Sequence, residues 1–315
     1  MILYGRRLTA LCVLGAVGAL TLTACGVEPP RVALETVKVS PGAPGATASQ
    51  APRGQGESEA PGHPDTPSSS GPPTLTPGPG GRAPVFTHGP RTGHGKTVAF
   101  TFDADMTADQ GPRAASGERF DNPGLIAALR ALRVPSTVFM TGRWAEEYPA
   151  EAKNIGADPL FEVANHSYSH YSFTGDCYGL PSLAPTRMRS DVERAFTAFR
   201  RAGVRHRVPY FRFPGGCHDV RSLRAVAPEG VTAVQWDVVS GDAFATDTDA
   251  VVRQVLDGVR PGSVVVMHCT RSAAPTTEAV VRRVVPELRK RGYRFVKVSG
   301  LVAEAAAAAA GKRSH

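Results

Sequence analysis

The 315-residue chain carries 33 glycines and 27 prolines, concentrated in its first third, and a formal charge of +8 to which Arg6 and Arg7 contribute two. Acidic and basic residues are interspersed and no basic stripe alternates with aromatics. That excludes a nucleic-acid partner and leaves at most a general attraction to anionic cell-wall polymers.

In chain order, residues 1–24 read as an export leader, with Arg6 and Arg7 ahead of an apolar run over 8–22. A membrane-spanning helix needs about 20 predominantly apolar residues, whereas this run is shorter and closes on small residues, as a cleaved leader does. The ending Leu22-Thr23-Ala24-Cys25 resembles a bacterial lipobox. It implies cleavage before Cys25, lipid on its sulfur and an extracytoplasmic chain anchored to the cell membrane; the alternative is an ordinary signal peptide with an accidental cysteine. Residues 25–92, dominated by Pro, Gly, Ser, Thr and Ala, are expected to be a disordered tether, because so few large apolar side chains cannot offset the entropy of ordering.

Residues 93–301 are expected to form one folded domain in which short apolar strands alternate with amphipathic helices. Strands are predicted at 97–103, 135–140, 161–164, 209–213, 231–238, 263–268 and 294–298, several as the continuous apolar runs of buried parallel strands. Helices are predicted at 121–132, with Asp121 as N-cap and a proline near the first turn, and at 143–155, 187–202, 247–259 and 276–291. Seven strands alternating with helices argue for an α/β fold in the form of a distorted barrel, with a doubly wound open sheet as the alternative. The Ala-rich, basic stretch 302–315 is expected to be a solvated helical tail.

Asp103, His166, Arg212 and His268 each fall at or just past the C-terminal end of a predicted strand, where α/β barrels build their sites. His166 and His170 stand at i, i+4 spacing, which on a helical turn puts both imidazoles on one face. With a carboxylate from Asp103 or Asp105 they supply three protein ligands and leave one position for water, the pattern of catalytic rather than structural zinc. Arg212, directly after Pro209-Tyr210-Phe211, is placed to pair with a buried carboxylate and hold it ionised. The Pro214-Gly215-Gly216 turn can present a backbone N–H to an oxyanion. His268 is a histidine outside the metal set, suited to protonating a leaving amine, and Asp242 can hydrogen-bond it and raise its pKa. Of the five cysteines, Cys12 falls in the leader and Cys25 at its end. A Cys177–Cys217 disulfide leaving Cys269 free is one arrangement; metal ligation or simple burial are the others, and no C-x-x-C spacing supports ligation.

Taken together and in order, these clusters resemble the NodB-homology polysaccharide deacetylases, carbohydrate esterase family four, over residues 96–301. That family's motifs are TFDDG, H-[ST]-x-x-H, R-x-P-[YG]-G, an aspartate near a tryptophan, and a strand ending in L-H. The second stands here as His166-Ser167-Tyr168-Ser169-His170, the third as Arg212-Phe213-Pro214-Gly215-Gly216 and the fifth as Met267-His268. The resemblance implies a distorted seven-stranded barrel and a hydrolase that removes N-acetyl groups from a cell-wall or extracellular polysaccharide, peptidoglycan or chitin-like. It implies Asp103 as catalytic base, Arg212 as its partner, Gly215 as oxyanion donor, His268 as acid and Asp242 as its tuner. His166 and His170 would hold a divalent metal, zinc first, with cobalt, manganese or nickel as alternatives. Two departures stand out. The metal-binding aspartate of the family falls at Ala104, so either Asp105 supplies the carboxylate or the metal binds with two histidines and water, and Asp242-Ala243-Phe244 replaces the usual Asp-Trp, so a groove wall is lost or rebuilt by Phe244 or Trp236. The partners implied are the acetylated polysaccharide and the membrane, with the chain acting as a monomer. Competing functions are an O-acetyl esterase on a polysaccharide and a non-catalytic wall-binding lipoprotein with a degraded metal site.

Overall fold

The computed structural model describes residues 71–93 and 95–311. The leader and Cys25, most of the tether and the last four residues lie outside the described residues. Among those described, no helix is long and apolar enough to cross a membrane.

The strands are β1 (Val85–Phe86), β2 (Thr97–Ala104), β3 (Ser136–Met140), β4 (Phe161–Asn165), β5 (Arg207–Phe211), β6 (Thr232–Val234), β7 (Val238–Val239), β8 (Ser263–His268) and β9 (Arg294–Phe295). All pair in parallel, in the order β1-β6-β5-β4-β3-β2-β8-β7, with β9 beside β2. The result is the expected distorted barrel, an open half-barrel whose β6 and β7 do not pair. The helices are α1 (Gly111–Ala115), α2 (Pro123–Ala131), α3 (Gly142–Glu147), α4 (Pro149–Ala157), α5 (Met188–Arg201), α6 (Val220–Val226), α7 (Thr248–Gly258), α8 (Thr277–Lys290) and α9 (Val298–Gly311).

Strand parity sorts the core. Val98, Phe100, Phe102 and Ala104 of β2 join one cluster with apolar residues of α2, α3, α4, α5, α7 and α8. The alternate residue Ala99 joins a second cluster with Phe139, Ala164, Tyr210 and Val264, on the concave side of the sheet, as a side-chain period of two requires. Both faces are covered, so the strands read as unbroken apolar runs.

Several expectations need correction. The tether does not run to residue 92: β1 pairs with β6, Tyr210 donates to the Pro73 carbonyl at 2.7 Å, and Gly89 N–H donates to the Gly262 carbonyl at 2.8 Å. A short run with one well-placed aromatic, Phe86, is enough to dock when the seam beside β6 offers unpaired backbone. The N-cap of α2 is Asn122, whose side chain accepts from Leu125 N–H, not Asp121. The helix expected over 143–155 breaks at Tyr148 (φ −120°), because Pro149 disfavours a helical residue before it and starts α4. β5 lies two residues early, and its register against β4 shifts opposite Pro209, which has no N–H to give the ladder. The strand expected over 231–238 is two short strands, and the one over 294–298 ends at Phe295. Residues 302–311 are not a separate tail: they continue α9, whose Val298, Leu301 and Val302 fill the concave cluster at the N-terminal end of the barrel.

Candidate active site

The polar clusters meet at the other end, over the C-terminal edges of the strands. Asp103 is almost at the end of β2, in register with His268 of β8 and Phe139 of β3. Its Oδ1 lies 2.7 Å from Arg212 Nη1, and its Oδ2 lies 3.7 Å from His166 Nε2. Arg212 is wholly buried, stacked 3.9 Å over the Phe139 ring, with its remaining donors reaching the Val234 and Gln235 carbonyls. Burial works to raise the Asp103 pKa, but Arg212, followed by His166 and His268, outweighs it and holds the carboxyl below its ordinary value. The carboxylate is ionised and has one oxygen turned to the site.

Parity explains the position that breaks the motif. Ala104 faces the helix-covered cluster with Phe102 and Met106, whereas Asp105 continues the side taken by Asp103. Thr270 Oγ1 donates to Asp105 Oδ1, and Asp105 Oδ2 lies 3.8 Å from His170 Nε2. A carboxylate at 104 would point into apolar packing.

The histidine pair is brought together, but not on a helical turn. Residues 166–170 form a loop after β4 in which Ser167 (φ 68°) and His170 (φ 56°) are left-handed, and the two rings sit 4.9 Å apart at 59°. Such backbone persists only when its surroundings determine it. Here Asn165 Oδ1 accepts from Ser167 N–H at 2.8 Å, Asp191 Oδ1 accepts from Tyr168 N–H at 2.7 Å and Ser169 N–H at 3.3 Å, and Ser167 Oγ accepts from His170 N–H at 2.9 Å. His166 Nδ1–H donates to the Arg212 carbonyl at 2.9 Å, which turns Nε2 toward the site. Burial pushes the His170 pKa down to about 4, against the pull of Asp105, so this ring is neutral at pH 7.

Two imidazoles and a carboxylate form a donor set that suits a divalent cation, since each ligates in its deprotonated form. Among the described residues, however, no three His, Cys, Asp or Glu side chains already converge with the spacing of a closed metal centre. Asp105 is drawn onto Thr270 instead.

On the β8 side, His268 Nδ1–H donates to Asp242 Oδ1 at 2.8 Å, and Asp242 Oδ2 accepts from His268 N–H at 2.8 Å and Thr277 Oγ1 at 2.7 Å. Burial disfavours the charged ring, yet the bond to Asp242, the charge on Asp242, and those on Asp105 and Asp103 lift the His268 pKa to about 9. Gly215 (φ 65°) and Gly216 (φ 77°) follow Arg212. A side chain on Gly215 would sit 2.5 Å from Cys177 Sγ. The Cys177–Cys217 disulfide is formed across this turn and Cys269 is free and buried. Of the two aromatics near the fourth motif, Trp236 lies 5.3 Å from the Arg212 guanidinium, while Phe244 is 84% exposed.

Every site residue named from sequence is therefore found at this end, except Cys25, which lies outside the described residues. Asp191, Thr270, Thr277 and Asn165 were missed. Asn165, adjacent to the histidine motif, carried a signal; Asp191 and Thr277 lie in the first turns of α5 and α8, and nothing local marks them.

A model of the polysaccharide deacetylase family matches residues 91–234, a span that takes in the first three clusters and stops before Asp242 and His268. A chitooligosaccharide deacetylase of Sinorhizobium fredii is 31% identical over 218 residues, 65% of this chain and 91% of the relative. The chain belongs to the polysaccharide deacetylase family, the NodB-homology enzymes of carbohydrate esterase family four. Among solved structures, a peptidoglycan N-acetylglucosamine deacetylase superposes with a TM-score of 0.58 at 23% identity, covering 70% of this chain and 92% of the other. A pseudoenzyme of the same esterase family from Bacillus anthracis gives 0.56 at 23%, covering 73% and 70%. At these identities both comparisons speak to the fold.

Proposed function

We propose that the protein hydrolyses N-acetyl groups on N-acetylglucosamine residues of an extracytoplasmic polysaccharide, chitin-like or peptidoglycan, and that it does so with a divalent metal, zinc first, held by Asp105, His166 and His170. When bound, such an ion would polarise the acetyl carbonyl and acidify a water molecule. The rest falls to the chain. Asp103 Oδ2, kept ionised by Arg212, takes the proton of the attacking water. The Gly215 N–H faces the developing oxyanion. His268, charged at neutral pH with Asp242 behind it, gives the proton that the departing amine needs.

The observation that carries this function is the separation of charge states. Asp103 is held below and His268 above their ordinary pKa values on adjacent strands in register, the division of labour an acid and a base require. A wall-binding module has no use for it. The test is acetate release by the metal-loaded protein from N-acetylated chitooligosaccharides and peptidoglycan fragments. No release from any of them overturns the proposal, and release only from O-acetylated polymers makes it an esterase.

We place the enzyme as a monomer outside the cytoplasmic membrane, held by lipid on Cys25. The Cys177–Cys217 disulfide suits an oxidising compartment. Cys25→Ser should move the protein from the membrane to the soluble fraction, and retention at the membrane would overturn the anchor.

A further inference from the structure

The described residues include five non-glycine residues at positive φ, and four of them, Ser167, His170, Tyr178 and Phe244, stand on the loops at the C-terminal end of the barrel. Two serve the histidine loop. Of the others, Tyr178 belongs to no motif and has no part in the chemistry above.

Leu180 N–H donates to the Cys177 carbonyl at 3.0 Å, and Tyr178 (φ 52°) and Gly179 (φ 73°) occupy the centre of this tight turn. Turns with two left-handed central residues favour Asn, Asp or Gly at both. Tyrosine there is unfavourable for the backbone, and its ring is 88% exposed, so it is unfavourable for the side chain as well. Among the described residues, no side-chain hydrogen bond or ring contact of Tyr178 rewards either cost.

The turn is nonetheless clamped. Ser172 N–H donates to the Pro181 carbonyl and Leu183 N–H to the Ser172 carbonyl, both at 2.8 Å, closing the loop. The disulfide joins Cys177 to Cys217 beyond Gly215. The space a side chain would take on Gly215 is bounded by Cys177 Sγ and, at 3.3 Å, by Tyr178 Cδ2. The side chain thus stands close to the Gly215 turn while most of its surface is open to solvent. An exposed aromatic side chain carried on a clamped backbone beside a polar pocket fits the apolar C–H face of a pyranose ring, at a reduced backbone ordering cost on binding.

We propose that Tyr178 is a saccharide-binding platform which stacks on a sugar next to the one being deacetylated, making the enzyme prefer oligomers over single sugars. This rests on the deacetylase function proposed above. The turn that carries the platform neighbours Gly215, and the disulfide ties it to Cys217.

The test combines calorimetric titration of the full chain with penta-N-acetylchitopentaose in EDTA and acetate release from the pentamer and dimer with metal. Tyr178→Ala should weaken pentamer binding about five- to tenfold, the size of an aromatic contact, and raise KM more for the pentamer than for the dimer. Tyr178→Trp should restore both. Tyr178→Gly should bind as weakly as Tyr178→Ala yet melt at a higher temperature than the parent, which separates recognition from stability. Unchanged pentamer affinity in Tyr178→Ala overturns the platform even where acetate release is intact. A parent that binds the pentamer but releases no acetate overturns the deacetylase function and leaves the titration to decide the platform; a parent that neither binds nor hydrolyses overturns both.

Discussion

The two ends of the barrel are built from the same strands with opposite chemistry. At the N-terminal end, the concave side of the sheet holds Ala99, Val264 and Tyr210 and is plugged by Val298, Leu301 and Val302 of α9. At the C-terminal end the same parity delivers Asp103, Arg212 and His268, and the loops there hold four of the five left-handed non-glycine residues among those described. One end gathers apolar contact with a single left-handed non-glycine residue, Arg133, while the other gathers buried charge and strain. Stability and chemistry are thereby separated along the barrel axis, so that the site can carry unfavourable geometry on a foundation that does not depend on it.

The largest test of that separation is Asp103→Asn, which should lower acetate release by about 10²–10⁴-fold, the range for loss of a general base. Arg212→Ala strands the Asp103 carboxylate in a buried site and should also cost about 3–5 kcal/mol of stability in urea unfolding. Leu301→Ala at the opposite end should cost about 2–5 kcal/mol by cavity formation, with kcat/KM of the folded protein unchanged. A fall in kcat/KM there would show that the two ends are coupled.

Smaller effects should follow at the proposed metal ligands. Asp191→Ala should lower zinc affinity by about 10–100-fold, as for residues standing behind a ligand, and Asp105→Ala by more, both read by competition with a chromophoric chelator. Ala104→Asp should not rescue Asp105→Ala, because its carboxylate faces the apolar cluster.

The smallest effect concerns pH. The folded pKa of His268 is raised from 6.5 to about 9. The stability that its charged form contributes is therefore fully present below 6.5 and lost as pH rises from 6.5 through 9. Asp242→Asn should flatten that slope in unfolding measurements and move the alkaline limb of kcat/KM to lower pH. A limb that stays in place would remove His268 as the acid.

Much of this was legible in the chain. Asp103, Arg212 and His268 announced themselves because a charged residue that closes an apolar strand has few structural uses. The left-handed histidine loop was not legible, since i, i+4 spacing fits a helical turn equally well and Asp191, which fixes the loop, lies on a distant helix. The dock of residues 71–92 was hidden by composition, because its contacts are mainly backbone bonds. The run 302–311 looked like a solvated tail because Leu301 and Val302 show their role only beside the barrel floor.

By itself, then, the sequence determined which residues alternate into which face of each strand and hence which side chains can meet, because strand parity is local and fixed. It also determined the order of the polar clusters that mark the family. Only the tertiary structure decided that Asp105 stands beside His170 and turns to Thr270, that Arg212 is fully buried against Asp103, and that the turn carrying Tyr178 is clamped beside Gly215. Those facts depend on register, curvature and a covalent link between distant loops, none of which a local pattern encodes.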